Sequence, residues 1–345
     1  MILDFSQPKE KILAQFDLNE AWQEPIFSFL KNWLDDSMPE FSISTSGSTG
    51  SPKTITHSRF RMIESAKRTN TFFSLDKNSV LLLALPVRAI GGRMMLVRAQ
   101  IAACKIVCVE PSALPFTSAS LSEQFTFDFA AFTPMQVFEM LKNEQTKIDF
   151  SHIQNVIIGG GKISDELQEK LRELPNNIYE TFGMTETVSH IALRKISEKE
   201  FTCLPEISVK KDDLSRLLIE LPNNEILQTN DIVELSDSKH FTWLSRIDDV
   251  INTGGIKVFA NEIEAKLKPH ISIPFFIAKM PDEKFGEKVV LVVEQNAEKD
   301  TFFLDLFAHV LSPYEKPKTI LRPPKFIYSE MGKLMKQATL QNTIR

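Results

Sequence analysis

In the stretch STSGSTGSPKT, Ser44 to Thr54, glycines and hydroxyl side chains crowd in front of a lysine. Gly47 and Gly50 let backbone N–H groups close round an anion, Thr45, Ser46, Ser48 and Thr49 add hydroxyl donors, and Lys53 brings a full positive charge. Phosphate suits such a set. From Gly47 the order GSTGSPKT runs close to a Walker A loop, but Pro52 stands where that loop needs its second glycine. Proline has no N–H and a fixed φ, so it cannot wrap donors round a β-phosphate, and a P-loop NTPase is disfavoured. Read alone, the stretch also fits a Ser/Gly linker.

Four further stretches carry chemistry-bearing side chains: YETFGMTETVSH from Tyr179, Thr229-Asn230-Asp231, RIDDVINTGGIKVFANEIE from Arg246, and MGKLMK around Lys333. Each has a bland reading by itself. Thr185 and Glu186 could cap a helix, Asp231 could be a solvated loop residue, and Arg246 with Asp248 could be a weak surface pair. Taken in order, the five stretches resemble the signature set of the acyl-adenylate-forming superfamily, which holds acyl- and aryl-CoA ligases, luciferase-like enzymes and adenylation domains. The resemblance runs from about residue 42 to residue 337.

That resemblance implies roles. Thr45, Ser46, Gly47, Ser48, Thr49, Gly50 and Lys53 would clamp the ATP β- and γ-phosphates. Phe182 and Gly183 would lie beside adenine, with Gly160 and Gly161 lining the same pocket. Thr185 would donate to the α-phosphate, and Glu186 would hold Mg²⁺, for which one carboxylate plus substrate phosphates is enough. Asp231 would accept from the ribose hydroxyls, although Asn230 stands where the family has glycine, and Arg246 would contact ribose or phosphate. Lys333 would reach the α-phosphate and the attacking carboxylate together, holding two anions that repel each other. Asp248 matches the family's interdomain hinge, and Gly254 and Gly255 the face offered to coenzyme A.

For the acid, LPVRAIGGRMMLVRAQIAACK and AFTPMQVFEML are similar to the o-succinylbenzoate-CoA ligases of menaquinone biosynthesis, in a compact form. Arg98 would pair with a second, unreacted carboxylate, in company with Gly159 and His190; Arg88 and Arg93 compete for the same part. The implied reaction couples the acid to ATP and then to coenzyme A. Another carboxylic acid, a carrier-protein thiol, and a non-catalytic nucleotide-binding protein on a ligase scaffold remain alternatives.

The whole chain fits such an assignment. Its 345 residues favour about two domains. A net charge of -5 makes no electrostatic case for nucleic acid. Cys104, Cys108 and Cys203 lack the spacing of a disulfide framework or zinc site and read as reduced core residues. Charges and glycines interrupt the most apolar region, so no membrane span is expected, and MILDFSQPKEK lacks the order of a signal peptide, which points to the cytoplasm. The sequence does not decide whether copies of the chain associate.

The elements that must position these residues follow from periodicity. Short apolar runs at VLLL, KIVC and NVII read as buried strands, and the segments from Ser58, Met94 and Asp165 read as helices. A functional loop is expected from Val87 to Arg93. The fold class expected is α/β, with a large N-terminal adenylate-forming domain of layered sheets over 1–247 and a small mobile α+β domain over 248–345.

Overall fold

A computed structural model describes residues 1–45, 53–115, 125–295, 299–328 and 334–343; of Ser44, Thr45, Lys53 and Asn223 it describes the backbone alone. The contacts form two units. The first is Met1–Ser208 with Leu221–Asn223 and Asp237–Phe241; the second is Val209–Glu220 with Asn224–Ser236 and Thr242–Arg345.

The strands of the first unit are β1 (Ile2–Asp4), β2 (Glu40–Thr45), β3 (Lys53–Ser58), β4 (Val80–Leu83), β5 (Lys105–Cys108), β6 (Phe129–Phe132), β7 (Asn155–Ile158), β8 (Asn177–Gly183), β9 (His190–Lys195) and β10 (Phe201–Cys203). Its helices are α1 (Lys9–Leu13), α2 (Glu24–Trp33), α3 (Arg59–Phe73), α4 (Ile90–Ala102), α5 (Pro134–Met140), α6 (Glu144–Ser151) and α7 (Asp165–Arg172). The runs VLLL, FAAF and NVII are apolar on both sides, as parallel strands covered by helices on both faces must be. Accordingly β5, β4, β6, β7 and β8 lie parallel in that order, with β1 antiparallel outside β5 and β9 and β10 continuing antiparallel from β8. β2 and β3 form a separate hairpin.

Leu82, Phe132, Val156 and Ile158 share one core with Val137 and Met140 of α5, Phe150 of α6 and Leu167 and Leu171 of α7. Elsewhere Phe129 meets Phe73 of α3, with 4.9 Å between ring centroids, and lies under the guanidinium of Arg98 in α4. From β4 the chain passes to β5 on one side and then returns to β6 on the other. That reversal opens a crevice beyond the carboxyl ends of the strands, the usual ligand position in open α/β sheets.

Local chemistry sets the helix ends. Ser58 caps α3 by accepting from Arg61 N at 3.3 Å, and Thr133 and Gln136 form a capping box on α5. The helix α4 begins at Ile90, inside the stretch expected to be a loop. Gly92 makes that start possible, because a Cβ there would lie 2.4 Å from Pro86 O.

The second unit holds β11 (Ser208–Lys211), β12 (Arg216–Leu221), β13 (Glu225–Leu235), the later part of β14 (His240–Arg246), β15 (Val250–Thr253), β16 (Ile256–Phe259), α8 (Ala260–Leu267), β17 (Phe275–Asp282), β18 (Gly286–Val293), α9 (Asp300–Val310), β19 (Thr319–Leu321) and α10 (Lys336–Thr343). One of its sheets has the order β16, β15, β18, β17, with β19 parallel to β18. The run VVLVV in β18 feeds two cores. Val289, Leu291 and Val293 pack with Ile263, Leu267, Phe303 and Phe307; Val290 and Val292 pack with Phe276 and Phe326.

Among the described residues no helix is long and apolar enough to cross a membrane. All three cysteines are free and buried, and burial pushes each thiol up to about 12. Because Pro86 O is backbone and cannot step aside, Gly92→Ala should destabilise the first unit by ~1–3 kcal/mol, read as a fall in denaturant midpoint. The neighbouring Gly91→Ala, whose Cβ would meet only the Leu85 side chain at 3.2 Å, should fall less.

Candidate functional site

The parallel sheet delivers two of the expected stretches to neighbouring strand ends. Gly159, Gly160 and Gly161 leave β7, and Gly183 closes β8, which pairs with β7. A Cβ on Gly159 would lie 2.2 Å from Thr181 Oγ1, so any larger residue there would have to displace that hydroxyl on β8. Phe182 packs edge-on against Phe241 and Phe201, with centroids 5.1 and 5.7 Å away. Next comes a single 3-10 turn, Thr185–Thr187, carrying the partly exposed Thr185 and the exposed Glu186. The Glu186 carbonyl accepts from Arg61 Nη2 at 3.2 Å, whereas its carboxylate makes no hydrogen bond or ion pair with the described residues. An exposed carboxylate left open by the described residues fits magnesium, whose remaining ligands are commonly water and phosphate oxygens.

Behind this turn lies a buried cation. Arg98 is 1% exposed, and no acidic side chain among the described residues pairs with it. Its Nη2 donates to Ser189 Oγ at 2.7 Å, its Nη1 reaches Met95 Sδ at 3.6 Å, and its Nε finds no acceptor. Desolvation pulls its pKa down to about 9, which leaves it charged at neutral pH. Ser189 Oγ also lies 3.3 Å from His190 Nδ1, and His190 Nε2 lies 3.2 Å from Thr69 Oγ1, which donates to Ser65 O. One proton arrangement satisfies the chain: Ser189 donates to Nδ1, and a neutral imidazole donates from Nε2 to Thr69. A charged His190 would set a second donor and a second cation against the same serine. Burial first, and then the Arg98 charge, hold His190 well below its usual pKa.

Of the competing arginines, Arg93 is already engaged. It donates to Val87 O and Ser42 O at 3.1 and 2.8 Å, while Arg88 is exposed. In the phosphate loop, Thr45 and Lys53 are paired across the β2–β3 hairpin. Ser46, Gly47, Ser48, Thr49 and Gly50 lie outside the described residues.

The second unit gathers its own set. Asp231, on β13, accepts from Trp243 Nε1 at 3.0 Å through Oδ1, and Arg246 Nη1 lies 3.8 Å from the same oxygen. Trp243 was not singled out from the sequence; only the pairing of β13 with β14 brings it opposite Asp231. Asp248 lies in the short 3-10 helix Ile247–Asp249. Gly254 and Gly255, with φ of 64° and 83°, form the tight turn between β15 and β16 that residues with a Cβ rarely allow. Lys333 lies outside the described residues. Of its chain neighbours, Leu334 bridges Tyr328, and Lys336 pairs with Glu264 at 2.9 Å.

The depressed pKa of His190 has a sign. Below about pH 6.5 the unfolded imidazole binds a proton that the folded one refuses, so this residue lowers stability as the pH falls. His190→Gln should therefore lose less thermal stability than the parent between about pH 7.5 and about pH 5.5, a difference that melting curves at the two values would measure.

Comparison with known proteins agrees with this geometry. The AMP-binding enzyme family matches residues 2–211. The 2-succinylbenzoate–CoA ligase of Staphylococcus epidermidis is 24% identical over 324 residues, 85% of this chain and 68% of its own length. An acyl-CoA synthetase (AMP-forming)/AMP-acid ligase II-like protein from Dyadobacter fermentans is 32% identical, with 99% of both chains covered and a TM-score of 0.66. The o-succinylbenzoate CoA synthetase of Bacillus subtilis, solved with its acyl-adenylate intermediate, has the same fold at a TM-score of 0.69 and 18% identity, over 86% of this chain and 68% of that one. With the match covering well over half of its residues, and the strand ends carrying the expected glycine and Thr-Glu stretches, the chain belongs to the AMP-binding enzyme family.

Proposed function

We propose that the chain is an AMP-forming acid–thiol ligase. A carboxylate attacks the α-phosphorus of ATP, pyrophosphate leaves, and the thiol of coenzyme A then displaces AMP from the acyl-adenylate. The observation that carries this reading is the succession, at the carboxyl ends of β7 and β8, of a glycine turn, Thr185 and a Glu186 carboxylate that has no partner among the described residues. In this reading Thr185 donates to the α-phosphate, and Glu186 would hold magnesium, which would supply positive charge to the phosphate oxygens. Gly160, Gly161, Phe182 and Gly183 border adenine. Asp231, steadied by Trp243, takes the ribose hydroxyls, with Arg246 beside it.

The acid we infer is an aromatic dicarboxylate of the succinylbenzoate type. Support comes from the names of the curated relatives and from Arg98, a buried cation with no counter-ion among the described residues. A carboxylate entering beside Gly159 and His190 would supply the missing charge. For the thiol, support comes from a cavity of about 500 Å³ in the second unit, lined by Asn252 and Lys257 on either side of the Gly254-Gly255 turn, by Lys211, and by Glu234 and the ion pair of Lys279 with Glu287. The cations of Lys211 and Lys257 suit the phosphates of coenzyme A. Ile247 and Val250, on either side of Asp248 and Asp249, line the same cavity, which supports reading Asp248 as the hinge.

Acid-dependent pyrophosphate release, assayed over a panel of aromatic mono- and dicarboxylates with and without coenzyme A, tests the reading. Release with a succinyl-substituted benzoate and thioester formation only with coenzyme A are expected; silence with every acid would leave a nucleotide-binding protein. If Lys333 spans the phosphate and the carboxylate, Lys333→Ala should slow adenylate formation by ~10²–10³-fold, and an unchanged rate would remove that role. Asp248→Pro, which stiffens the hinge, should spare the adenylate half-reaction more than the thioester half. Equal losses in single-turnover assays of the two halves would count against the hinge.

A further inference from the structure

The turn that carries Thr185 and Glu186 is restrained from behind by residues that the proposed chemistry does not use. The Thr187 hydroxyl accepts from Met184 N at 3.0 Å and lies 2.9 and 2.7 Å from the carbonyls of Met184 and Ser189, one of which takes its proton. Val188 is 2% exposed and has φ 69° and ψ -49°, close to a positive-φ γ-turn that a β-branched residue adopts only under constraint. Ser189 Oγ accepts from the buried Arg98 at 2.7 Å. The ends of the turn close tightly, since a Cβ on Gly183 would come within 2.5 Å of Ser189 O. A connection between two antiparallel strands needs neither a strained valine nor a buried cation.

We propose that Ser189 and Val188 are positioning residues for Thr185 and Glu186. Ser189 tethers the turn to the Arg98 guanidinium, and the constrained backbone of Val188 transmits that restraint to the hydroxyl and the carboxylate. This rests on the reading of Thr185 and Glu186 as the groups that meet nucleotide phosphate and magnesium. Donors and ligands already aimed at developing charge need no reorganisation during reaction; a loosened turn keeps the same groups and loses their aim.

Hydrogen exchange of the free protein, calorimetric titration with ATP at several magnesium concentrations, and pyrophosphate release test the tether together. In Ser189→Ala the amides of Thr187 and Val188, which donate to Met184 O and Thr185 O at 3.2 and 2.9 Å, should exchange ~10-fold faster. Magnesium-dependent ATP binding without acid should weaken by ~10-fold, and kcat for adenylate formation should fall by ~10–100-fold. Ser189→Thr keeps the hydroxyl and should return all three readouts to within ~3-fold of the parent.

Because Ser189→Ala takes an acceptor from a buried charge, Val188→Gly serves as the second variant. It relaxes the backbone without touching Arg98 and should show the same faster exchange and the same loss in kcat. Unchanged exchange and kcat in both variants, or equal losses in the Thr and Ala variants, overturn the proposal. A parent enzyme that releases no pyrophosphate with any acid removes the nucleotide reading instead. Exchange then decides the tether alone: faster in Ser189→Ala supports it, and unchanged overturns it.

Discussion

A guanidinium kept from water without a counter-ion is costly, and much of the first unit is arranged to hold one. Arg98 has a serine hydroxyl, a thioether sulfur and the face of Phe129 for company, with Nε left without an acceptor. Buried polar groups are nearly always satisfied, so an under-satisfied cation beside the strand ends marks a place adapted to something other than stability. Its neighbours are adjusted to it. His190 stays neutral because burial and the Arg98 charge both oppose its proton, and the neutral ring passes a hydrogen bond to Thr69 on α3. Asn70, one residue on, donates to the Arg98 carbonyl at 3.0 Å, so α3 grips both ends of the arrangement.

The second unit uses the same device with the opposite charge. Asp231 is buried, and its first partner is the neutral indole of Trp243; Arg246, half exposed and 3.8 Å away, adds little by itself. A neutral donor orients a carboxylate without neutralising it. In both units a polar side chain from a neighbouring segment fixes a charged one, and a sheet supplies the rigidity that a loop would lack.

Elements with strong local signals were legible in the sequence. The apolar runs of β4, β5 and β7 and the cap of α3 depend on residues a few positions apart, so their physics is contained in short windows. The boundary before α4 was misread because two glycines in a row suggest a loop. Gly92 instead answers the backbone of Pro86, a neighbour that only the folded chain reveals. The Thr185-Glu186 stretch was visible because its residue types and order are themselves the signal. Ser189, a common residue in an unremarkable position, and Trp243, twelve residues beyond its partner Asp231, carried no such mark.

By itself, then, the order of residues determined the α/β class, the strands with glycines at their ends, and the family. Those features are encoded in periodicity and residue type, which survive unfolding. Tertiary structure alone decided that Arg98 would be dry and have no acidic partner among the described residues, that Arg93 would be taken up by backbone carbonyls, and that Val188 would be held at φ 69°. Desolvation, the pairing of segments far apart in sequence, and backbone strain have no magnitude until the chain has closed on itself.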